Sequence, residues 1–98
     1  WDVSNVQQSF FMFQGSKFNG DISKWNVFNM GDMEGMFQDS KFNRDISKWD
    51  VSGVYNMKHM FAHSDFCQDI SRWNINKYCE TRGMFVNCRI PQKCKPTK

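Results

Sequence analysis

The four cysteines are the side chains best suited to covalent chemistry, and all of them fall in the last third of the chain. Cys67, Cys79, Cys88 and Cys94 could form two disulfides, which would staple this end of the molecule in an oxidising compartment. Four cysteines allow three pairings, and positions within the repeat described below favour Cys88–Cys94 together with Cys67–Cys79. Cysteine usage therefore favours an extracellular or lumenal location.

Zinc binding is the alternative chemistry for the same region. His59, His63 and Cys67 lie at steps of four, with Cys79 beyond them, and such side chains are common zinc ligands. A continuous helix through Cys67 is not expected, because Ser64-Asp65-Phe66 corresponds to a loop elsewhere in the chain. We therefore expect two surface histidines, no metal site and no cofactor.

A column of aspartates could bind calcium. Asp21, Asp45 and Asp69 recur at a constant step, as acidic residues do in some calcium-binding β-helices. Those sites collect several oxygen ligands each, whereas this pattern offers one aspartate at a time. The recurrence of aspartate is explained more simply if each carboxylate accepts hydrogen bonds from backbone N–H groups of its own loop.

Several function classes are excluded by composition and motifs. The chain has neither a glycine-rich phosphate loop nor a G-x-S-x-G elbow, so we predict no catalytic residue and no enzyme activity. Its net charge of +3 is too mild to indicate nucleic-acid binding, and no apolar run is long enough to span a membrane. Aromatic residues make up 16% of the chain, which argues against disorder.

The elements that position these residues are repeated units. The tryptophans Trp1, Trp25, Trp49 and Trp73 follow one another at a step of 24. Methionine and phenylalanine recur at the same step, as Met12, Met36, Met60, Met84, Phe13, Phe37, Phe61 and Phe85. The pattern predicts a single domain, 1–98, made of units 1–24, 25–48 and 49–72 and a divergent C-terminal cap, 73–98.

Each unit combines two periodicities. Trp25-x-Val27 alternates as a strand does, with Asn26 facing outward. From Val27 to Phe37, apolar residues follow at spacings of three and four, which are typical of a short helix or 3₁₀ turns. A return loop completes the unit. We predict a β-solenoid of leucine-rich-repeat type with four coils, whose Trp, Met and Phe columns fill the core.

The repeated strings resemble a known family. Phe-Asn-x-Asp-Ile-Ser-Lys-Trp-Asp/Asn-Val, followed by Met-x-x-Met-Phe, is similar to the BspA-like surface-protein repeat over residues 1–85. That family is related to leucine-rich repeats. The resemblance implies adhesion or protein–protein binding through a solenoid surface, and it implies no catalytic residues.

Aromatic residues in otherwise polar columns are the first candidates for partner binding. Phe10 and Phe11 stand where other units have charged residues, glycine or histidine. Phe28 and Tyr55 also differ in type from the residues at the same positions of the other units. They could form a partner surface or a contact with further sequence. Phe10 and Phe11 could instead fold back over the open N-terminal end of the stack.

A basic column is the second candidate. Lys24, Lys48 and Arg72 could receive an acidic partner or a sulfated glycan, or form a solvated face that nearby acidic residues neutralise. The sequence thus predicts a non-catalytic protein-binding or structural module, as an accessory subunit or scaffold that docks onto other proteins. The alternative is a fragment of an extracellular adhesin of the BspA-like type.

Overall fold

A computed structural model describes residues 2–97, and within them the four units stack in register. The regular elements of this part of the chain are one 3₁₀ turn, Gln92–Cys94, and a set of single-residue parallel β-bridges. The bridges join equivalent positions of successive units, namely Gln8, Asp32, Asn56 and Glu80. Each bridge therefore connects a residue to its counterpart one unit further along.

Backbone hydrogen bonds in the second half of each unit alternate between two directions. The amides of Phe11 and Phe13 donate to the carbonyls of Glu34 and Met36 in the next unit, at N···O distances of 2.8 and 2.9 Å. The amide between them, that of Met12, donates to a carbonyl three residues back at 3.1 Å. The same alternation recurs in the second and third units. Each segment is thus a run of tight turns whose remaining amides link it to the next unit.

Two residues per unit with left-handed backbone conformation produce this run of tight turns. If residues are counted from the tryptophan of each unit, positions 11 and 15 have φ between 52° and 67°. The residues are Phe11, Gly15, Gly35, Asp39, His59, His63, Gly83 and Asn87. A left-handed residue costs about 1–2 kcal/mol when it is not glycine, so the packing around Phe11 and His59 must offset that cost. It also interrupts a right-handed helix, which is why turns form instead of a continuous helical segment.

Residues 25–27 differ from the strand that their alternation predicted. Val27 is buried and Asn26 exposed, but turns flank them on both sides, with the Trp25 amide bonded to the Ile22 carbonyl. The side chain of Asn26 accepts the amide of Phe28 at 3.1 Å. Because one of these amides donates to a nearby carbonyl and the other to a nearby side chain, neither contributes to a ladder with the next unit.

Aromatic columns run through the core along the direction of stacking. Rings of Phe13, Phe37, Phe61 and Phe85 stack with centroids 5.5–5.7 Å apart. A second column of Phe18, Phe42 and Phe66 has spacings of 6.2–6.3 Å. The rings of the two middle units are fully buried, and offset stacking adds to the free energy gained by removing them from water.

Tryptophan indoles at the start of the third and fourth units hydrogen-bond to the last turns of the first and second units. Nε1 of Trp49 donates to the carbonyl of Ile22, and Nε1 of Trp73 donates to that of Ile46, each at 3.0 Å. Both side chains are buried, so an unbonded indole N–H would carry a desolvation cost of about 1–3 kcal/mol. The tryptophan column therefore both fills the core and fixes the register of the units.

The buried ladder should dominate stability. We expect Phe37→Ala to reduce the free energy of unfolding by about 3–5 kcal/mol, because it removes a ring that is packed on both faces. Phe28→Ala, at a ring that is 54% exposed, should cost less than about 1 kcal/mol. Urea unfolding of both variants measures the difference, and equal losses would contradict the stacking described here.

Candidate partner-binding surfaces

Three large apolar side chains of the first unit are exposed together. Phe10, Phe11 and Met12 have 48%, 41% and 39% of their surface accessible. The rings of Phe10 and Phe11 meet edge to face, with centroids 6.3 Å apart. We call these three residues the N-terminal patch.

Met12 is the member of this patch that the sequence pattern did not indicate. Its counterparts Met36 and Met60 are fully buried, and Met84 nearly so. Met12 is exposed because no unit lies before the first one in the described stack. The signal was present in the repeat itself, since an inward column has one uncovered member at each open end.

A glycine in the second unit determines how Phe11 lies. A Cβ atom built on Gly35 would overlap the Phe11 ring, so the ring rests directly on the glycine backbone. The same arrangement recurs between His59 and Gly83. Position 11 therefore alternates between a ring and a glycine along the stack, with each ring covering the glycine of the following unit.

A row of carbonyl groups lies beside the N-terminal patch. At each interface between units, amides at positions 9, 11, 13 and 15 donate to carbonyls at positions 8, 10, 12 and 14 of the next unit. In the first unit these four carbonyls accept no backbone hydrogen bond from residues 2–97. We call them the acceptor row; they belong to Gln8, Phe10, Met12 and Gln14.

The opposite end of the stack has the complementary groups. Among the described residues, the amides at the four donor positions of the last unit make no backbone hydrogen bond; they belong to Thr81, Gly83, Phe85 and Asn87. The tail, residues 91–97, lies across this end. Nζ of Lys95 is 5.4 Å from the centroid of the Phe85 ring, and the Cys94 carbonyl accepts the amide of Ile70 at 3.0 Å. A cleft of about 320 Å³ remains between the tail and the last unit.

Phe28 and Tyr55 lie apart from the N-terminal patch. They are 54% and 57% exposed, and in residues 2–97 no ring contact joins them to Phe10, to Phe11 or to each other. Tyr55 rests against Gly31, in an open groove of about 310 Å³ that is otherwise lined by amide side chains. The predicted aromatic residues thus do not form one cluster of contacting rings.

Tyr78 is a further exposed aromatic residue, 80% accessible, that sequence reasoning missed. The repeat aligns Tyr78 with Val54, which is buried, but in the last unit Cys79 is the buried residue. The Cys79 amide donates to the carbonyl three residues back, as the Val54 amide does in the third unit. The last unit thus places its inward side chain one residue late. Lys77-Tyr78 in place of Gly53-Val54 was the sequence signal.

The basic column is exposed and lies beside the aspartates of the same loops. Hydrogen bonds from the serine two residues on, and then attraction to nearby Lys and Arg side chains, lower the pKa of Asp21, Asp45 and Asp69. The amide of Ser47, for example, donates to Asp45 at 2.9 Å. Lys24, Lys48 and Arg72 therefore alternate with carboxylates that remain charged and reduce the positive potential of this face.

Thiols and imidazoles of the last two units have separate partners. The structure joins none of the four cysteines in a disulfide; Cys67 is exposed and Cys79 is buried. Sγ of Cys88 donates to the carbonyl of Phe66 at 3.1 Å. Nδ1 of His63 lies 3.2 Å from the side-chain nitrogen Nδ2 of Asn87. Within residues 2–97, no group of three or more His, Cys, Asp or Glu side chains is placed to hold a metal ion. The two disulfide pairings stay predictions.

Comparison with known proteins gives one match. A family model described as "Mycoplasma protein of unknown function, DUF285" matches residues 1–95. No curated protein and no solved structure matches the chain. In the described part of the chain, no helix is long and apolar enough to cross a membrane.

The contact between Phe11 and Gly35 should appear as coupling between two substitutions. Gly35→Ala should lower the free energy of unfolding by more than about 1 kcal/mol, because the new methyl group meets the ring and the backbone is left-handed. In a Phe11→Ala background, the same change should cost less, since only the backbone term remains. Chemical unfolding of the double-mutant cycle measures this, and additive losses would show that the ring does not rest on the glycine.

Stability should decrease in acid because of the aspartate column. The folded-state pKa of Asp45 lies below its ordinary value of 3.8, so its contribution is complete above that pH and is lost as the pH falls through the folded value. Asp45→Asn keeps an oxygen that can accept the Ser47 amide and removes the titration, so the thermal midpoint should fall less steeply below about pH 4. Asp39→Asn makes the same charge change outside an Asp-x-Ser turn and should retain the full acid dependence. Identical profiles for Asp45→Asn and the parent chain would refute this account.

Proposed function

This chain belongs to the family described as Mycoplasma protein of unknown function, DUF285, and on that premise we propose that it is a non-catalytic, protein-binding or structural repeat module. The observation that carries the proposal is the exposure of the N-terminal patch. Phe10 occupies the position that Glu34, Lys58 and Arg82 occupy in the other units, so the first unit presents apolar surface where its neighbours present charge.

The N-terminal patch has the composition of a binding hot spot. Aromatic and methionine side chains are enriched in the cores of protein interfaces, where a few of them supply most of the binding free energy. Phe10 and Phe11 already contact each other, so little side-chain entropy is lost when a partner covers them. Their exposure favours the interface hypothesis over a local fold-back, because the described segments leave the rings accessible to water.

We also propose that the stack is a solenoid of leucine-rich-repeat type. Hydrogen bonds and aromatic columns that join equivalent positions one unit apart support this class. The β-bridges lie at position 8 of each unit instead of at the predicted Trp-x-Val strand. An assignment to BspA-like repeats, and with it an extracellular adhesin, is the alternative proposal. It is favoured by the Asp-Ile-Ser-x-Trp motif that the first three units carry into their successors.

Loss of the patch should abolish association without unfolding the chain. We expect the double variant Phe10→Ser, Met12→Ser to keep its thermal midpoint within a few degrees, because both side chains are exposed. In extract from the source, it should no longer co-migrate with a partner on a native column. Tyr78→Ser is the matched control, since it removes the most exposed aromatic ring from a different unit.

A photo-crosslinking amino acid identifies the contact directly. Placed at position 10, it should attach to a defined protein, and placed at position 78 it should not. Retention of the partner by the double variant, crosslinks only from position 78, or collapse of the fold in the serine variant would each overturn the proposal.

A further inference from the structure

We propose that the groove beside Tyr55 binds an uncharged carbohydrate, with one sugar ring stacked on the tyrosine and its hydroxyl groups bonded to the amide side chains around it. The groove has a volume of about 310 Å³. We call it the amide groove, and its lining consists of Asn5, Gln7, Gln8, Asn29, Gly31 and Tyr55. The inference goes beyond the proposed function, since none of these residues belongs to the N-terminal patch.

The amide groove lies along the side of the stack. Its lining residues come from the first, second and third units, so it runs across two interfaces between units. The Gly31 amide donates to the Gln7 carbonyl at 2.9 Å, and the Tyr55 amide donates to the Gly31 carbonyl at 2.7 Å. The glycine and the tyrosine belong to units that have a neighbour on both sides. The shape of the groove therefore depends on packing within the stack.

Gly31 determines where the tyrosine ring lies. A Cβ atom at position 31 would lie 2.5 Å from Cε2 and 2.9 Å from Cδ2 of Tyr55, so one edge of the ring rests on the glycine backbone. The residue is 57% exposed, and in residues 2–97 no other aromatic ring stacks on it. A ring that is held in place and accessible loses little side-chain entropy when a ligand covers it.

Carboxamide side chains provide the polar part of the site. Each has an oxygen that accepts hydrogen bonds and an NH₂ group that donates them, and sugar hydroxyls also do both. Nδ2 of Asn29 donates to the Ser4 carbonyl at 2.8 Å, which orients this side chain and leaves its oxygen to accept from a ligand. Within residues 2–97, the side chains of Asn5, Gln7 and Gln8 make no hydrogen bond to the protein, so they can bond hydroxyl groups.

The charge of the lining selects the class of sugar. Charged residues make up 23% of the chain, yet none of those within residues 2–97 lines the groove. A sulfated or carboxylated sugar would lose hydration of its anionic group here without gaining an ion pair. The C–H groups of a neutral sugar ring carry partial positive charge and are attracted to the negative face of an aromatic ring. A neutral sugar therefore matches both the ring and the amides.

A peptide is the competing ligand, and the backbone of the groove is less suited to it. Peptides often bind by adding a strand to an open sheet edge. The N–H and C=O groups of Gly31 and Tyr55 are already paired within the stack, the Tyr55 carbonyl with the amide of Glu80 at 3.0 Å. The volume is also at the lower end of the range of about 300–1,000 Å³ that small-molecule sites span. These observations favour a short stretch of sugar chain.

Titration of the ¹⁵N-labelled chain with neutral saccharides tests the proposal. The probes are maltotriose, lactose and N,N′-diacetylchitobiose, and a heparin-derived hexasaccharide is the charged comparison. We expect a neutral probe at millimolar concentration to shift the side-chain NH₂ signals of Asn5, Gln7 and Asn29 and the backbone amide signal of Tyr55. Raising the salt concentration about tenfold should change the Kd by less than about twofold, because no charged group contributes.

Substitutions separate the contribution of the ring from that of the amides. Tyr55→Ala should weaken binding at least about fivefold and Tyr55→Phe less than about twofold, because stacking requires the ring and not its hydroxyl. Gly31→Ala should also weaken binding, since the new methyl group displaces the ring. Tyr78→Ala is the matched control, because it removes an exposed tyrosine from another unit, and it should leave the Kd unchanged.

A further variant keeps the test decisive if the ring contributes to folding. Tyr55→Ala should keep its thermal midpoint within a few degrees, because the side chain is exposed. If the midpoint falls further, Gln7→Ala decides, since it removes an exposed amide, keeps the ring and should weaken binding at least about twofold. An unchanged Kd in Gln7→Ala would then refute the site.

Other results would also overturn the proposal. They are the absence of shifts with every neutral probe, a Kd that Tyr55→Ala leaves unchanged, and shifts confined to the basic column with the heparin hexasaccharide. Tyr55-dependent binding of a proline-rich peptide without binding of sugars would make the groove a peptide site. Tyr55→Ala should still co-migrate with the native partner that Phe10→Ser, Met12→Ser loses, so the sugar site and the protein-binding function can fail independently.

Discussion

The amides at positions 9, 11, 13 and 15 of the first three units donate toward the following unit, a few other amides donate back, and the rest of the structure depends on these hydrogen bonds between units. The four rows hold neighbouring units in register, so identical side chains fall on top of one another and the phenylalanine columns can stack. They also make the two ends of the stack chemically different. One end has unpaired carbonyls beside exposed apolar side chains, and the other has amides beneath the tail.

Burial and hydrogen bonding both stabilise the stack of units. The middle units contain the fully buried rings, and the buried indole N–H groups of Trp49 and Trp73 are satisfied by the carbonyls of Ile22 and Ile46. Stability therefore comes from interfaces between units.

The repeat and its inward columns could be predicted from the sequence, because burial selects residue type and leaves a regular pattern of Trp, Met and Phe. The path of the backbone could not. Position 11 is left-handed whether it is Phe11, Gly35 or His59, so residue type there does not reveal the conformation. The exposure of Phe10 was predictable from its column, whereas the acceptor row was not, because main-chain polarity leaves no trace in side-chain identity. Tyr78 escaped prediction because the spacing shifts by one residue between Trp73 and Met84, which themselves keep the step of 24 from Trp49 and Met60.

Rings and glycines alternate at position 11, so adjacent units differ in the contact that they make there. Removing the second unit alone would bring Phe11 against His59, two rings in a space that holds one, whereas removing the second and third units together would bring Phe11 onto Gly83. A gene that encodes such an array can therefore gain or lose units in pairs without disturbing this contact. A single-unit change that brings two rings together at position 11 has to be accompanied by a substitution there.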